Sequence, residues 1–358
     1  RILVTGGTGF LGAHIVDLLL ERGIRVVATA RSEPKAKDFV ERRSGFKDLL
    51  EVVVTGDLGP VGAFDSIAKD VDVIIHCASP LPNEPSSGSS LSQTLIEPAI
   101  SGTLSILQAA RKNPTLKRLV LTSSVGAVLD ITKQTALEPY GDRYTANDWN
   151  PITYEQGVKS GDPPFVYRAG KKYAELEAWG EVDPASRHSR HTFDLTVFCP
   201  PLILGPWVHP LGPSGLDSLN YSNRQFRDIV RGDFRSSHLP EPLAPLWVDV
   251  RDVALAHVEA ALRLDSGSRP PSNERYAICS PEKFNYHLVG EIIREEFPDW
   301  AGEILPPKKG IPPFKGVSLD GTPVTDDLGV TYRSFRECVI DTVRQLRTEV
   351  LREAERPT

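Results

Sequence analysis

Methionine is missing from all 358 residues, and composition offers no physical reason for it. The chain begins at Arg1, so a few residues are expected to precede it. Cysteine is scarce: Cys77, Cys199, Cys279 and Cys338 stand far apart, with no C-x-x-C pair. That spacing resembles neither a zinc site nor a disulfide scaffold, so free thiols in a reducing cytoplasm are the expectation. No apolar run approaches the length of a membrane span. A secretory leader is not expected, since Ile2-Leu3-Val4 passes straight into a glycine turn. Basic residues are not in excess. The 41 Lys and Arg against 47 Asp and Glu leave a formal charge of −6, without the electrostatic footprint of a nucleic-acid binder. Internal repeats and histidine spacings suited to a metal are also lacking.

What remains is an ordinary globular composition on a chain long for one compact domain, which favours a core domain with a smaller lobe. The first half alternates short β-branched runs with helical patterns. Strands are expected at 2–4, 25–30, 52–54, 71–77, 118–122 and 193–198, and helices at 11–22, 34–43, 96–112 and 165–180. The strands are nearly continuous apolar runs, the mark of parallel strands buried on both faces. Strand-helix alternation from the first residue predicts an α/β fold, a Rossmann-type doubly wound parallel sheet with a smaller C-terminal substrate lobe. The rhythm breaks after Cys199, where residues 200–222 are rich in Pro, Gly and Ser. Later pieces are expected at 246–263 (strand into helix), 276–279 (strand), 286–297 (helix) and 335–353 (helix). This divides the chain into a dinucleotide-binding domain over 1–200, with returns from about 245–280, and a lobe over 201–245 and 281–358. Residues 79–92 and 130–164 are expected to be loops over a site.

Thr5-Gly6-Gly7-Thr8-Gly9-Phe10-Leu11-Gly12 follows a strand and opens a helix. Glycine allows the tight turn, close approach of backbone to a pyrophosphate, and packing of helix on strand, while the helix N-terminus presents free amides to the anion. The competing reading, a flexible N-terminal loop, does not account for the strand-turn-helix context. At the end of the second strand, where an NAD site carries an acid for the ribose 2′-hydroxyl, the chain has Ala30-Arg31-Ser32. A guanidinium there suits a 2′-phosphate, with Lys35 one turn on; a solvated strand-end residue is the alternative. Asp57 is placed for the adenine amino group or, about equally, as a helix cap.

Tyr167-Arg168-Ala169-Gly170-Lys171 is the single Tyr-x-x-x-Lys of the chain. Residues four apart share a helix face, and an ammonium beside a phenol is expected to lower its pKa. A surface pair is the competing reading, and position decides between them: the helix lies between the fifth and sixth strands. Strand five ends in Thr122-Ser123-Ser124, at the carboxyl edge where such sheets bind ligands. Ser124 is either a substrate-orienting hydroxyl or a turn cap. His76 lies in the same cleft but reads as a packed core histidine.

With these residues in hand, the chain resembles the extended short-chain dehydrogenase/reductase superfamily. Within it, the dihydroflavonol-reductase-related branch and the fungal NADPH-dependent aldehyde/ketone reductases of the methylglyoxal- and carbonyl-reductase type are most similar. Further carriers of the resemblance are Thr55-Gly56-Asp57-Leu58, His76-Cys77-Ala78-Ser79-Pro80, Asp148-Trp149-Asn150-Pro151, Pro200-Pro201 with Gly205-Pro206, and residues 248–254. The resemblance implies Tyr167 as proton donor, Lys171 on the nicotinamide ribose and Ser124, rather than Ser123, orienting the substrate. It implies NADPH/NADP+ as cofactor, held by Gly6, Thr8, Gly9, Phe10, Leu11 and Gly12. Arg31 and Lys35 would take the 2′-phosphate, and Asp57 and Leu58 the adenine. Ala78, Ser79, Thr122, Tyr167 and Lys171 would line the cleft, with Cys199 and Pro200 at the nicotinamide and Ser222 nearby. A cofactor-side Asn common in the superfamily is absent from residues 98–103. The implied substrate is a small carbonyl compound, apolar or aromatic from the Pro, Leu, Trp and Tyr content of the loops. A cytoplasmic monomer or homodimer, without metal, nucleic acid or membrane, completes the expectation. The rivals are a nucleotide-sugar epimerase or dehydratase on the same fold and a non-enzymatic NADP-binding regulator.

Overall fold

The computed structural model describes residues 1–56, 60, 62–78, 90–130, 143–183, 193–212, 214–263, 273–306 and 316–354. The first half runs β1 (Ile2–Thr5), α1 (Phe10–Glu21), β2 (Val26–Ala30), α2 (Glu33–Glu41), β3 (Leu50–Val54), β4 (Val73–His76), α3 (Glu97–Lys112), β5 (Arg118–Thr122), β6 (Arg143–Tyr144), α4 (Tyr154–Lys159), α5 (Pro163–Val182) and β7 (Asp194–Cys199). The second half adds β8 (Leu202–Leu204), α6 (Tyr221–Arg231), β9 (Trp247–Asp249), α7 (Val250–Leu262), β10 (Glu274–Ala277), α8 (Tyr286–Glu296), α9 (Pro298–Ile304), β11 (Ser318–Leu319), α10 (Thr322–Leu328) and α11 (Phe335–Ala354).

Seven strands form one parallel sheet in the order β10-β7-β5-β4-β1-β2-β3, the doubly wound arrangement expected. Both faces are covered. Along β1, Ile2 and Val4 pack into a core shared with α1 and α7, while Leu3 points into the opposite core with α3 and α5. Each such fully buried aliphatic side chain contributes about 1.5–3 kcal/mol, so these runs are apolar at every position rather than at alternate ones. A third core gathers Phe226, Trp247, Phe284, Tyr286 and Phe335 from β9, α6, α8, α11 and the approach to α8. β8 pairs with β9, and β6 with β11, as two short parallel ribbons.

The sheet order reverses between β1 and β4, which is where ligands enter such folds. Two local devices set the elements around that crevice. Asp162 caps α5 by accepting from the Phe165 amide at 3.3 Å, and Pro163-Pro164 fills the first positions, whose amides need no partner. Near its start, Gly170 lies so close to the Leu95 carbonyl that a Cβ would stand 3.1 Å from it, which seats the helix against the turn leading into α3. Four of the described helices have no counterpart in the expected elements: α4, opened by a Thr153/Gln156 capping box inside a stretch read as loop, α6, α9 and α10.

Candidate active site

The glycine turn sits at the crevice. Gly6 has φ +67°, a left-handed conformation, and a Cβ there would come within 3.0 Å of the Ala78 amide nitrogen. Gly12 is required by approach alone: its Cβ would stand 2.2 Å from the Gly6 carbonyl oxygen. The Gly6 amide donates to Thr29 Oγ1 on β2 at 2.9 Å, a support that sequence reasoning missed. Gly9 caps α1 without a side chain, and the first intrahelical bond runs from the Ala13 amide to Gly9. The amides of Phe10, Leu11 and Gly12 therefore stay open to an anion, with the positive end of the helix dipole behind them. The Leu11 side chain packs in the core, so its contact with a cofactor would be through backbone. Thr8 and Phe10 are half-buried at the mouth, and Arg31 and Lys35 are exposed at the end of β2 and the start of α2. This cradle fits a dinucleotide. Asp57, Leu58 and Ser79 lie outside the described residues.

One step along the sheet, β5 delivers the hydroxyls. Ser124 Oγ accepts from the Gly126 amide at 3.0 Å, which is the turn-cap geometry, and its hydroxyl lies beside the Tyr167 phenol, where it acts to lower the phenol's pKa. Ser123 is turned away, its hydroxyl donating to the buried Glu175 at 2.5 Å. Lys171, one turn below Tyr167, donates to the Thr122 carbonyl at 3.1 Å. The Thr122 hydroxyl faces the other way, toward His257 Nε2 at 2.8 Å and Cys77 Sγ at 3.4 Å. Cys199 is buried with its thiol toward Glu175, so a cofactor there would meet backbone; the Pro200 carbonyl accepts from the Val125 amide. Ser222 lies in the first turn of α6.

The expected lowering of the Tyr167 pKa is overturned. Burial raises it, and the Ser124 hydrogen bond and the Arg168 charge only partly oppose that rise. Sequence shows the neighbouring ammonium but not the loss of water around the phenol.

Asn150, missed as a site residue, braces this corner. Its amide donates to the Gly126 and Arg168 carbonyls at 2.6 and 3.3 Å, and its own backbone amide reaches Ala127 at 2.9 Å. The turn after Ser124, the 150–152 segment and α5 are thereby tied together.

His76 is a neutral core histidine. It bonds Thr5 Oγ1 at 2.8 Å, and burial with the Lys171 charge holds it down at about 3. His257 and His209 are likewise held at about 4, chiefly by burial. The unfolded chain protonates all three as pH falls through about 6.5, and the folded chain does not until near 4. Stability is therefore fully present above about 6.5 and is lost on acidification through that window. Asp252, pushed up to about 6 mainly by burial, works in the opposite sense, as do the raised Asp17 and Glu274, while His14, lowered by burial, adds to the three histidines. The expected loss is on the order of 1–2 kcal/mol per pH unit near pH 5. Urea midpoints at pH 7, 6 and 5 check it, and a midpoint that stays level or rises toward pH 5 would refute it.

Comparison with known proteins follows the same lines. A family model described as the NAD dependent epimerase/dehydratase family matches residues 2–149. The Schizosaccharomyces pombe oxidoreductase C513.07 is 36% identical over 346 residues, covering 96% of each chain. The chain belongs to the extended short-chain dehydrogenase/reductase family. The Aspergillus niger ketoreductase azaE, another relative, is 31% identical over 97% of both chains. Among solved structures, the yeast methylglyoxal/isovaleraldehyde reductase Gre2, determined with NADPH, superimposes with a TM-score of 0.83. It is 29% identical, over 98% of this chain and 99% of that one. This family member is accordingly an oxidoreductase of the short-chain type. Among the described residues, no helix is long and apolar enough to cross a membrane, and no cluster of three metal-ligating side chains occurs.

Proposed function

We propose that the chain reduces the carbonyl of an aldehyde or ketone to an alcohol with NADPH, using Tyr167, Ser124 and Lys171. The observation that carries this is the Ser124 hydroxyl beside the Tyr167 phenol at the carboxyl edge of β5, with Lys171 one helical turn away and bonded to the Thr122 carbonyl. The relatives named as a ketoreductase and as a methylglyoxal reductase solved with NADPH support the same reading.

When bound, NADPH supplies the hydride. Gly6, Gly9 and Gly12, with the open amides of Phe10 to Gly12, would hold its pyrophosphate. Arg31, with Lys35, would hold the 2′-phosphate. Burial keeps Tyr167 in the phenol form at neutral pH, which is the form that can give a proton to a nascent alkoxide. Ser124 accepts from the Gly126 amide, so its single proton is the one that would turn from the Tyr167 oxygen to the substrate oxygen. Lys171 would hold the nicotinamide ribose.

The test is NADPH consumption across a panel of aldehydes, α-diketones, β-ketoesters and aryl ketones, with product chirality measured. Redox-neutral conversion of a sugar nucleotide would overturn the reading in favour of an epimerase or dehydratase. NADPH binding without turnover on any carbonyl would favour a regulator.

Arg31→Ala checks the cofactor assignment. Loss of a charge-assisted contact of about 1.5–3 kcal/mol weakens NADPH binding by about 10–150-fold. NADH has no 2′-phosphate, so its binding should barely change. Equal losses for both, read from nicotinamide fluorescence, would remove the argument.

A further inference from the structure

We propose that Glu175 is the positioning residue that holds Lys171 in its place and charge state, and that Arg275 clamps Glu175 for that task. The inference deepens the proposed reaction and rests on Lys171 acting in it.

Tyr167, Lys171, Glu175 and Trp179 succeed one another at intervals of four and so share one face of α5. Glu175 is 1% exposed. Oε1 accepts from Arg275 Nε at 2.6 Å and from the Trp179 indole at 3.0 Å. Oε2 accepts from Ser123 at 2.5 Å and lies 3.6 Å from the Cys199 thiol. All these partners are donors, the set that a carboxylate satisfies and a carboxylic acid does not.

The partners come from three adjacent strands. Ser123 follows β5, Cys199 ends β7 and Arg275 lies on β10. Arg275 is itself fixed. It stacks on Trp149 at 3.8 Å and donates to the Ala146 and Asp148 carbonyls, each at 2.6 Å. One carboxylate thus joins the helix that carries Tyr167 and Lys171 to the strand end that carries Ser124.

Lys171 is 8% exposed, and an ammonium there lacks most of its water. The groups that face it include the Thr122 carbonyl at the end of β5, His76 and Cys77 from the end of β4, Cys199 from β7, and Glu175 on its own helix. Both histidine and thiols are neutral at pH 7, since burial holds His76 at about 3 and pushes Cys77 up to about 12 and Cys199 higher still. Glu175 is the acidic side chain among these groups, one helical turn from this lysine. Burial pulls the Lys171 pKa down and Glu175 is the strongest influence pushing it back.

The experiment uses the full chain with lysines carbon-13 labelled at Cε, the Lys171 resonance being assigned through Lys171→Arg. In Glu175→Gln the Lys171 titration midpoint should fall by about one pH unit or more, and the alkaline limb of kcat/KM should move the same way. Glu175→Asp keeps the charge and should lie between. If Glu175→Gln does not fold, because Arg275 is left buried and unpaired, Glu175→Gln/Arg275→Gln takes its place, with a smaller shift in the same direction. A Lys171 midpoint unmoved in the variant that folds, with only the melting temperature lowered, would overturn the proposal. The titration needs no substrate. A chain inert toward every carbonyl would therefore sink the proposed reaction while the midpoint still judged Glu175.

Discussion

Tyr167→Phe is expected to lower kcat/KM on any carbonyl substrate by about 10²–10⁴-fold, the range a positioned proton donor contributes. The substitution removes one hydroxyl and leaves the ring that fills the space beside Ser124 and Lys171. Ser124 keeps its bond to the Gly126 amide, so the hydroxyl at the end of β5 stays in place. NADPH affinity should remain within about twofold, because the phosphate-binding groups are at the other side of the crevice. Initial rates beside nicotinamide fluorescence titrations separate the two quantities. Full turnover in the variant would remove Tyr167 from the mechanism.

Gly12→Ala is expected to abolish cofactor binding through a single methyl group. Its Cβ would meet the Gly6 carbonyl oxygen at 2.2 Å, the Gly6 carbonyl carbon at 2.9 Å and Gly7 Cα at 2.9 Å. All three are backbone atoms of the turn itself, so no side chain can rotate away. The turn must open, at about 3 kcal/mol or more, and the amides of the first turn of α1 lose their common focus. NADPH binding is expected to disappear at concentrations that saturate the unaltered chain. Gly180→Ala is the control: it lies in α5 with nothing within 4 Å of the added methyl, and helix propensity favours it by about 0.5–1 kcal/mol. Equal melting temperatures for the two variants would show that the turn has more room than its geometry indicates.

The large features of the fold were legible because their signals are local. Apolar runs buried on both faces, such as Ile2–Thr5 and Val73–His76, cannot be mistaken for half-exposed strands. The glycine turn announces itself by spacing and by its place after β1. Helix α4 left a readable signal in Thr153 and Gln156, but the loop-like stretch around it drew attention away. Helix α6 follows a segment dense in Pro, Gly and Ser, and only its end is marked, by Gly232 at φ +85°. The β6–β11 ribbon has two residues per strand, too few for any periodicity.

The site divides the same way. Tyr167 and Lys171 stand out as a pair in the sequence, whereas the orientation of Ser123, which points into the core toward Glu175, does not. What stayed hidden depends on tertiary contact. Glu175 finds Arg275 a hundred positions on, Thr122 finds His257 across the sheet, and Asn150 reaches both Gly126 and Arg168. The direction of the Tyr167 shift was hidden for the same reason, since burial is a property of the assembled chain.

The distance between Glu175 and Arg275 also has a temporal meaning. β10 joins the sheet beside β7 only after α6 and the packing helix α7 have been made. The two partners are separated by 100 residues. At typical synthesis rates that is about 5–20 s of ribosome travel. Throughout that interval the emerging chain carries the helix of Tyr167 with a Glu175 that has not yet met its guanidinium partner. The final setting of that helix therefore belongs to a late stage of biogenesis, and a nascent chain stalled before Arg275 would expose the carboxylate to solvent instead of locking it beneath the lysine.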